Sequence, residues 1–541
     1  MRHNFRFATL LLCAALPCVI ACDDGLGRFR PPNGCTPKCD GRSCGTDGCH
    51  GSCGECDPGL FCEPVSGQCT GDGKYHVTGN LFIEYMFGDV SLGRVVVSGP
   101  DEVPVRDVLV TVIDDQGNIL GAGSVEGSDG RFSVPVQEPL SGSEKLVVST
   151  VWAVDGQVVM AVLDSLSEGR DPGKATFDPF VWYVDVPVGG NVGSVTIDIE
   201  DGSGALFVFM MNKLAFQQIV NPLVGGIAGQ AIPLAVIFGP ADDWYVRCTC
   251  YHGLEESHIG TSQGPRLKTM ISIVDSPGDA SSWGWSVLFH EFGHYILDSY
   301  SKDNSPGGYH YIGQELIPKF AFSEGWATFT SLVTATLWFD DVWPVYWDIQ
   351  GGSWFFVDFN QGVYHTATGG ESYMVFPDVK ESTNQELDEN WVARTLYMIW
   401  DGSGTTPDPD ASMSLEEMAE TISSDIFLEG VDWPRDADLF NFLDSALCLY
   451  PEKDPALADR VLNEFGYPYQ GNPRCSKQDA AYSGIRDLSP GSGPSRRDWT
   501  RAPLQTGDRV GVPRAGRTGL PPFVLDGVTI ESGIKVGPGR H

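Results

Sequence analysis

Along residues 75–200 the apolar positions recur with the short period of strands. Val108, Val110 and Val112 alternate with Leu109, Thr111 and Ile113, so both faces of that segment are apolar. Asp115 to Asn118 supplies a turn before ILGAGSV, and Asp129-Gly130 supplies another before RFSVPV. LVVSTVWAV, PFVWYVDV and GSVTIDI read as further strands. From Gly204 the texture changes. ALFVFMMNKLAFQQIV lacks turn residues and predicts a buried helix, and TMISIVD at 269–275 predicts a strand. Helical spacing returns at 323–337, 389–400, 415–428 and 436–449. The pattern predicts an all-β unit over 75–200 and an α-rich α+β domain over 204–475.

The ends have a different composition. Arg2 and Arg6 precede an apolar run that closes on small residues, the pattern of a secretory signal peptide over 1–22. Val19-Ile20-Ala21-Cys22 resembles a bacterial lipobox, which implies cleavage before Cys22 and lipid on its thiol. The alternative is an ordinary signal peptide cut nearby. Residues 23–34 (DDGLGRFRPPNG) read as a linker. Eight cysteines then fall within 35–70, a segment too poor in aliphatic residues to build a core, so it reads as a disulfide module. A zinc module is the alternative, because Cys53 and Cys56 have ligand spacing. Such a module resembles the short Cys-rich stalks that follow the signal in bacterial surface proteins. Of fifteen cysteines, setting aside Cys13, Cys18 and Cys22 leaves an even number, as a disulfide framework requires. Cys448 and Cys475 are placed to clamp the end of the α-rich domain. The tail, 476–541, is rich in Gly, Pro, Arg and Ser, and its composition predicts disorder.

The stretch VRDVLVTVIDDQGNILGAGSVEGSDGRFSV resembles the carboxypeptidase-regulatory-like, transthyretin-like β-sandwich. The resemblance implies a structural or interaction module at 75–200 with no chemistry of its own.

At 541 residues the chain is long enough for several domains, and 42% hydrophobic content is enough for real cores. It holds 35 basic and 71 acidic residues, a net charge of −36. That balance argues against nucleic acid and against charge-driven binding to anionic membranes. Membrane attachment is expected only through the N-terminal lipid.

The chemistry concentrates in WSVLFHEFGHYIL at 285–297. The chain has ten histidines, and two of them, His290 and His294, sit four apart in this apolar segment with Glu291 beside the first. On a helix they share one face, so both imidazoles can reach one metal ion. Glu291 projects beside them, as in the H-E-x-x-H pattern of zinc peptidases. Gly293 favours close approach of a second element. Burying these groups without a metal would need several dedicated partners. A third histidine six residues after His294 is absent, since Tyr300 stands there. The remaining solution is a carboxylate on a second helix. FAFSEGWATFTSLVTATLWF places Glu324 among apolar and small residues, with Ala327, Ser331 and Thr334 forming a narrow face.

HEFGH followed by FSEGWATF resembles the gluzincin peptidases, above all their fungalysin and thermolysin-like branches. The resemblance implies one catalytic Zn²⁺ on His290, His294 and Glu324. It implies that Glu291 acts as the general base toward a metal-activated water. Thr328 stands where those families often place an aspartate that steadies a ligand histidine. His365 and Tyr364 are the candidates for stabilising the oxyanion, in a loop-like stretch, GVYHTATGGESY. Asp401, at the end of the helix predicted over 392–401, is a candidate partner of a ligand histidine. TMISIVD is expected to be the sheet edge that pairs with an extended substrate.

These observations predict a multidomain protein: disulfide-rich stalk, transthyretin-like β-sandwich, then a zincin-type metallopeptidase domain. The expected function is hydrolysis of protein or peptide substrates by an exported lipoprotein of the cell envelope, or by a secreted form. The rival expectations are a surface adhesion or binding lipoprotein with an inactive metallopeptidase fold, and a zinc hydrolase of non-peptide amides.

Overall fold

The computed structural model describes chiefly residues 75–463, with internal gaps of which the longest are 166–175, 374–386 and 402–411. Beyond that span it describes 39, 41, 43, 53, 61–63, 68–70, 473, 475 and three short segments within 523–535. The signal peptide, Cys22 and the linker at 23–34 lie outside the described residues. In the Cys-rich segment, Cys39 is bonded to Cys53. Strands β1 (Phe61–Glu63) and β2 (Gln68–Thr70) form a hairpin that sets Cys62 opposite Cys69.

The strand-rich region forms one nine-stranded sheet. Its members are β3 (Tyr75–Ser91), β4 (Arg94–Pro104), β5 (Leu109–Ile113), β6 (Ile119–Glu126), β7 (Arg131–Val136) and β8 (Lys145–Ser149). Later parts of the chain add β12 (Val181–Asp185), β13 (Asn191–Ile197) and β26 (Ile534–Lys535), which runs parallel beside β12. The turns fall where the sequence places them. Asp114 Oδ1 accepts the N–H groups of Gln116 and Asn118, both at 2.8 Å, and Gly117 and Gly130 adopt the left-handed φ values, 84° and 71°, that these tight turns require. β6 pairs with β5 over most of its length and passes to β7 only at Val125 and Glu126. The sheet therefore folds over on itself as a half-barrel, where the sequence predicted two packed sheets. Val108, Val110 and Val112 face the main core, while Ile113, Val147, Val181 and Tyr183 form a small cluster on the other face.

A second sheet carries the order β15-β17-β14-β10-β11-β16, with β9 on β10. It contains β9 (Val151–Val154), β10 (Gln157–Asp164) and β11 (Thr176–Pro179), together with β14 (Leu234–Gly239), β15 (Cys250–His252), β16 (Gly260–Thr261) and β17 (Thr269–Val274). β9 to β11 come from the stretch read as the β module, yet β10 runs parallel beside β14. A strand that is apolar on both faces does not encode which sheet it joins. β17 is also not the edge. β15 pairs antiparallel outside it, with Tyr251 opposite Ile271, so β15 is the edge strand on that side.

Helices complete the fold: α1 (Ser203–Ala215), α2 (Trp285–Tyr300), α3 (Pro318–Trp338), α4 (Glu389–Asp401), α5 (Leu415–Ser423), α6 (Asp425–Glu429), α7 (Leu439–Leu449) and α8 (Ala456–Asn463). The pattern at 415–428 splits at Ser424, after a helix opened by a capping box of Ser414 and Glu417. α2 and α3 touch backbone to backbone. A Cβ on Gly293 would sit 2.6 Å from Ala327 Cα, which is the close approach that Gly293 predicted. Gly325 does the same against α4, where a Cβ would meet the Glu389 carbonyl oxygen at 2.8 Å. β18 (Glu315–Leu316) pairs with β23 (Leu387–Asp388) and ties the start of α3 to the start of α4.

The stretch read as loop-like, 362–373, instead carries β21 (Val363–Thr366) and β22 (Glu371–Tyr373), the last two strands of a four-stranded antiparallel sheet begun by β19 (Val345–Gln350) and β20 (Ser353–Asp358). Its aromatic alternation is a strand signal, masked in the sequence reading by the surrounding glycines. Cys448 is bonded to Cys475, as its position predicted. The tail, expected to be disordered, contains β24 (Phe523–Leu525), β25 (Val528–Ile530) and β26 (Ile534–Lys535). Asp526-Gly527 between apolar triplets is a hairpin signal that average composition conceals. Among the described residues no helix is long and apolar enough to cross a membrane.

Candidate metal centre

α2 is buried from Trp285 to Leu297, so its polar side chains are enclosed with whatever its neighbours present. α3 presents Glu324. His290, Glu291, His294 and Glu324 are each 7–9% exposed. Nε2 of His290 and Nε2 of His294 are 3.2 Å apart. Glu324 Oε2 lies 3.1 Å from His294 Nε2 and 3.3 Å from His290 Nε2. The three donor atoms form a nearly equilateral triangle. Donors bound at ~2.0–2.1 Å to one tetrahedral ion lie roughly 3.3 Å apart, so this triangle has the dimensions of one face of a metal's coordination shell. The group can hold a metal ion.

Neighbouring hydroxyls orient the imidazoles. His290 Nδ1 lies 3.0 Å from Thr328 Oγ1, so Nδ1–H can donate there and leave the Nε2 lone pair facing the centre. Thr328 thus supplies a hydroxyl partner to His290. His294 Nδ1 lies 3.4 Å from Ser323 Oγ, and Ser323 donates to Asp303 Oδ2 at 2.8 Å. Asp303 was not anticipated, because nothing in its sequence surroundings ties it to the helix it serves.

The electrostatics follow from burial. Burial lowers His290 to about 4. Burial also disfavours charge on His294, but the Glu324 carboxylate outweighs it and raises His294 to about 9. Burial pushes Glu324 up, yet His294 and His290 prevail and hold it well below the usual carboxylate range. A proton on His294 beside an ionised Glu324 uses the lone pair that a metal would otherwise take. Burial raises Glu291 to about 8, against the pull of His294, and the backbone N–H of Tyr251 on β15 reaches its carboxylate. A carboxyl tuned near neutrality is suited to moving protons.

The structure brings in Tyr346, which the sequence did not single out. It lies on β19 with its ring 5.6 Å from that of His290. Burial and the carboxylates of Asp348, Glu291, Glu389 and Glu324 push its hydroxyl well above the ordinary range, so it stays a proton donor. Tyr364 is buried on β21 and donates to Asp388 Oδ2 at 2.5 Å. His365 follows it, on the opposite face of the strand, and stacks on Phe356 with ring centroids 4.3 Å apart. Asp401 is the last residue of α4, and its side chain lies outside the described residues.

Two further ligand groups occur among the described residues. Cys248, Cys250 and His252 lie together on or beside β15, and the two cysteines are bonded to each other. His310, Glu324 and Glu389 form the other, sharing Glu324 with the first triangle. The sequence carried little sign of it. Glu389 reads as an ordinary first-turn acid of a helix, and His310 lies in a polar, Gly-containing loop. No protein-family model matches the chain, and no curated protein matches it either.

Proposed function

We propose that the protein is an exported zinc-dependent endopeptidase of gluzincin type, held to the cell envelope by lipid on Cys22. The observation that carries this reading is the triangle of His290, His294 and Glu324, beside a buried Glu291. Two imidazoles and one carboxylate are the donor set of a catalytic zinc site, which leaves a position free for water or substrate. When bound, zinc supplies Lewis acidity to a carbonyl and to water. Glu291 takes the proton from the attacking water and returns it to the leaving amine. Tyr346 donates a hydrogen bond to the developing oxyanion, a role for which its place beside His290 suits it better than the positions of Tyr364 and His365. An extended peptide adds to the free edge of β15, whose Tyr251 already touches Glu291.

The test uses the purified exported chain on casein and on unblocked and blocked peptides. Chelation removes cleavage and zinc restores it. Glu291→Gln keeps its metal and loses on the order of 10²–10⁴ in kcat. Metal-independent cleavage, or none with metal bound, sinks the reading and returns the chain to the binding lipoprotein or the amide hydrolase. Labelling with a radioactive fatty acid, absent in Cys22→Ala, tests the anchor.

A further inference from the structure

We infer that the centre holds a second divalent cation, on His310 and Glu389 with Glu324 shared between the two ions. The inference rests on the reading that the first triangle binds metal. Glu324 and Glu389 are each 7% exposed, so two carboxylates face one another in a place nearly closed to water. His310 Nε2 stands 3.6 Å from Glu324 Oε2 and 3.3 Å from Glu389 Oε2. These three groups offer ligand atoms that all lie within 4.8 Å of one another.

The Glu389 oxygen nearest His310, Oε2, is buried and makes no hydrogen bond. One imidazole N–H can serve one oxygen, so His310 alone cannot satisfy both carboxylates. A cation at the point the three groups face satisfies all of them. The scaffold holds the arrangement in place. β18 pairs with β23 immediately before Glu389, and Gly325, next to Glu324, lies against the Glu389 carbonyl with no room for a Cβ. His310 is half-buried in a loop, which gives an ion a way in.

One imidazole and two carboxylates suit zinc or manganese. A carboxylate shared between two ions is the geometry of two-metal hydrolases, in which the ions steady the attacking and leaving atoms together. Glu324 then acts as a bridge, and His310 and Glu389 complete the second ion's protein ligands.

The experiment strips the full exported chain of metal, re-equilibrates it with zinc, and counts zinc per chain by mass spectrometry after gel filtration. Two per chain in the parent, falling to one in both Glu389→Gln and His310→Ala, supports the inference. One per chain in the parent overturns it and leaves the proposed function standing, as does a count of two that persists in both variants. None in the parent overturns both. A parent count of one or none decides by itself, and a parent count of two is assigned by whichever of the two variants folds.

Discussion

The half-barrel and the helical layer bury acidic side chains on opposite terms. In the half-barrel, Glu144 is buried but answered locally: the N–H groups of Ser141 and Gly142 donate to its carboxylate at 2.8–3.1 Å. The core of this region is apolar, with Val77, Leu81, Val110, Leu146 and Trp182 fully buried. In the helical layer, Glu291, Glu324 and Glu389 are buried close together, and their main neighbours are other ionisable side chains. An arrangement that costs stability persists where another demand holds it in place. The first region is built to stay folded, and the second gives up stability for a charged interior that can hold a cation.

This contrast can be broken by mutation. The largest effect is expected from Glu291→Gln, which costs on the order of 10²–10⁴ in kcat. The same change leaves the melting temperature unchanged or raises it, because a neutral amide replaces an acid that burial penalises. Leu146→Ala should do the reverse. It costs about 2–5 kcal/mol of stability, read by denaturant unfolding, and leaves kcat of the folded protein unaltered. A Leu146→Ala variant with impaired turnover at full folding would erase the distinction between the regions.

A smaller effect is expected from Thr328→Val, which keeps the shape and removes the partner of His290 Nδ1. Zinc affinity should fall roughly 10–100-fold, measured by competition with a chelating dye. An unchanged affinity would show that the hydroxyl does not orient the ring.

The smallest effects concern pH in the metal-free protein. His294 and Glu291 both have raised pKa values, about 9 and about 8, so the folded state holds more protons than the unfolded chain between their ordinary values and these. For His294 the stabilisation is complete below its unfolded value of 6.5 and is lost as pH rises through about 9. For Glu291 the loss runs from 4.5 up to about 8. His290, lowered to about 4, acts in the opposite sense: its contribution is present above 6.5 and lost as pH falls through about 4. The metal-free protein should therefore melt at progressively lower temperature between pH 7 and pH 9, and Glu291→Gln should flatten that slope. Zinc affinity should rise over the same range, because the ion displaces the proton on His294. A melting temperature that climbs toward pH 9 would contradict the assignment.

By itself the sequence determined what local periodicity and local chemistry can carry. Four-residue spacing put His290 and His294 on one helix face. Glu324 stood out because an acid in an apolar, small-residue helix needs a partner. Gly293 announced the contact with Ala327, and Asp129-Gly130 announced a turn. Tertiary structure alone decided the rest. It assigned β9 to β11 to the second sheet, made β15 the edge, and turned the 345–373 stretch into a sheet that delivers Tyr346. It also gathered Asp303, His310 and Glu389 around the triangle. The physical reason is the same in each case. A strand's partner and a loop residue's destination depend on contacts between segments far apart in the chain, and such contacts leave no period in either segment.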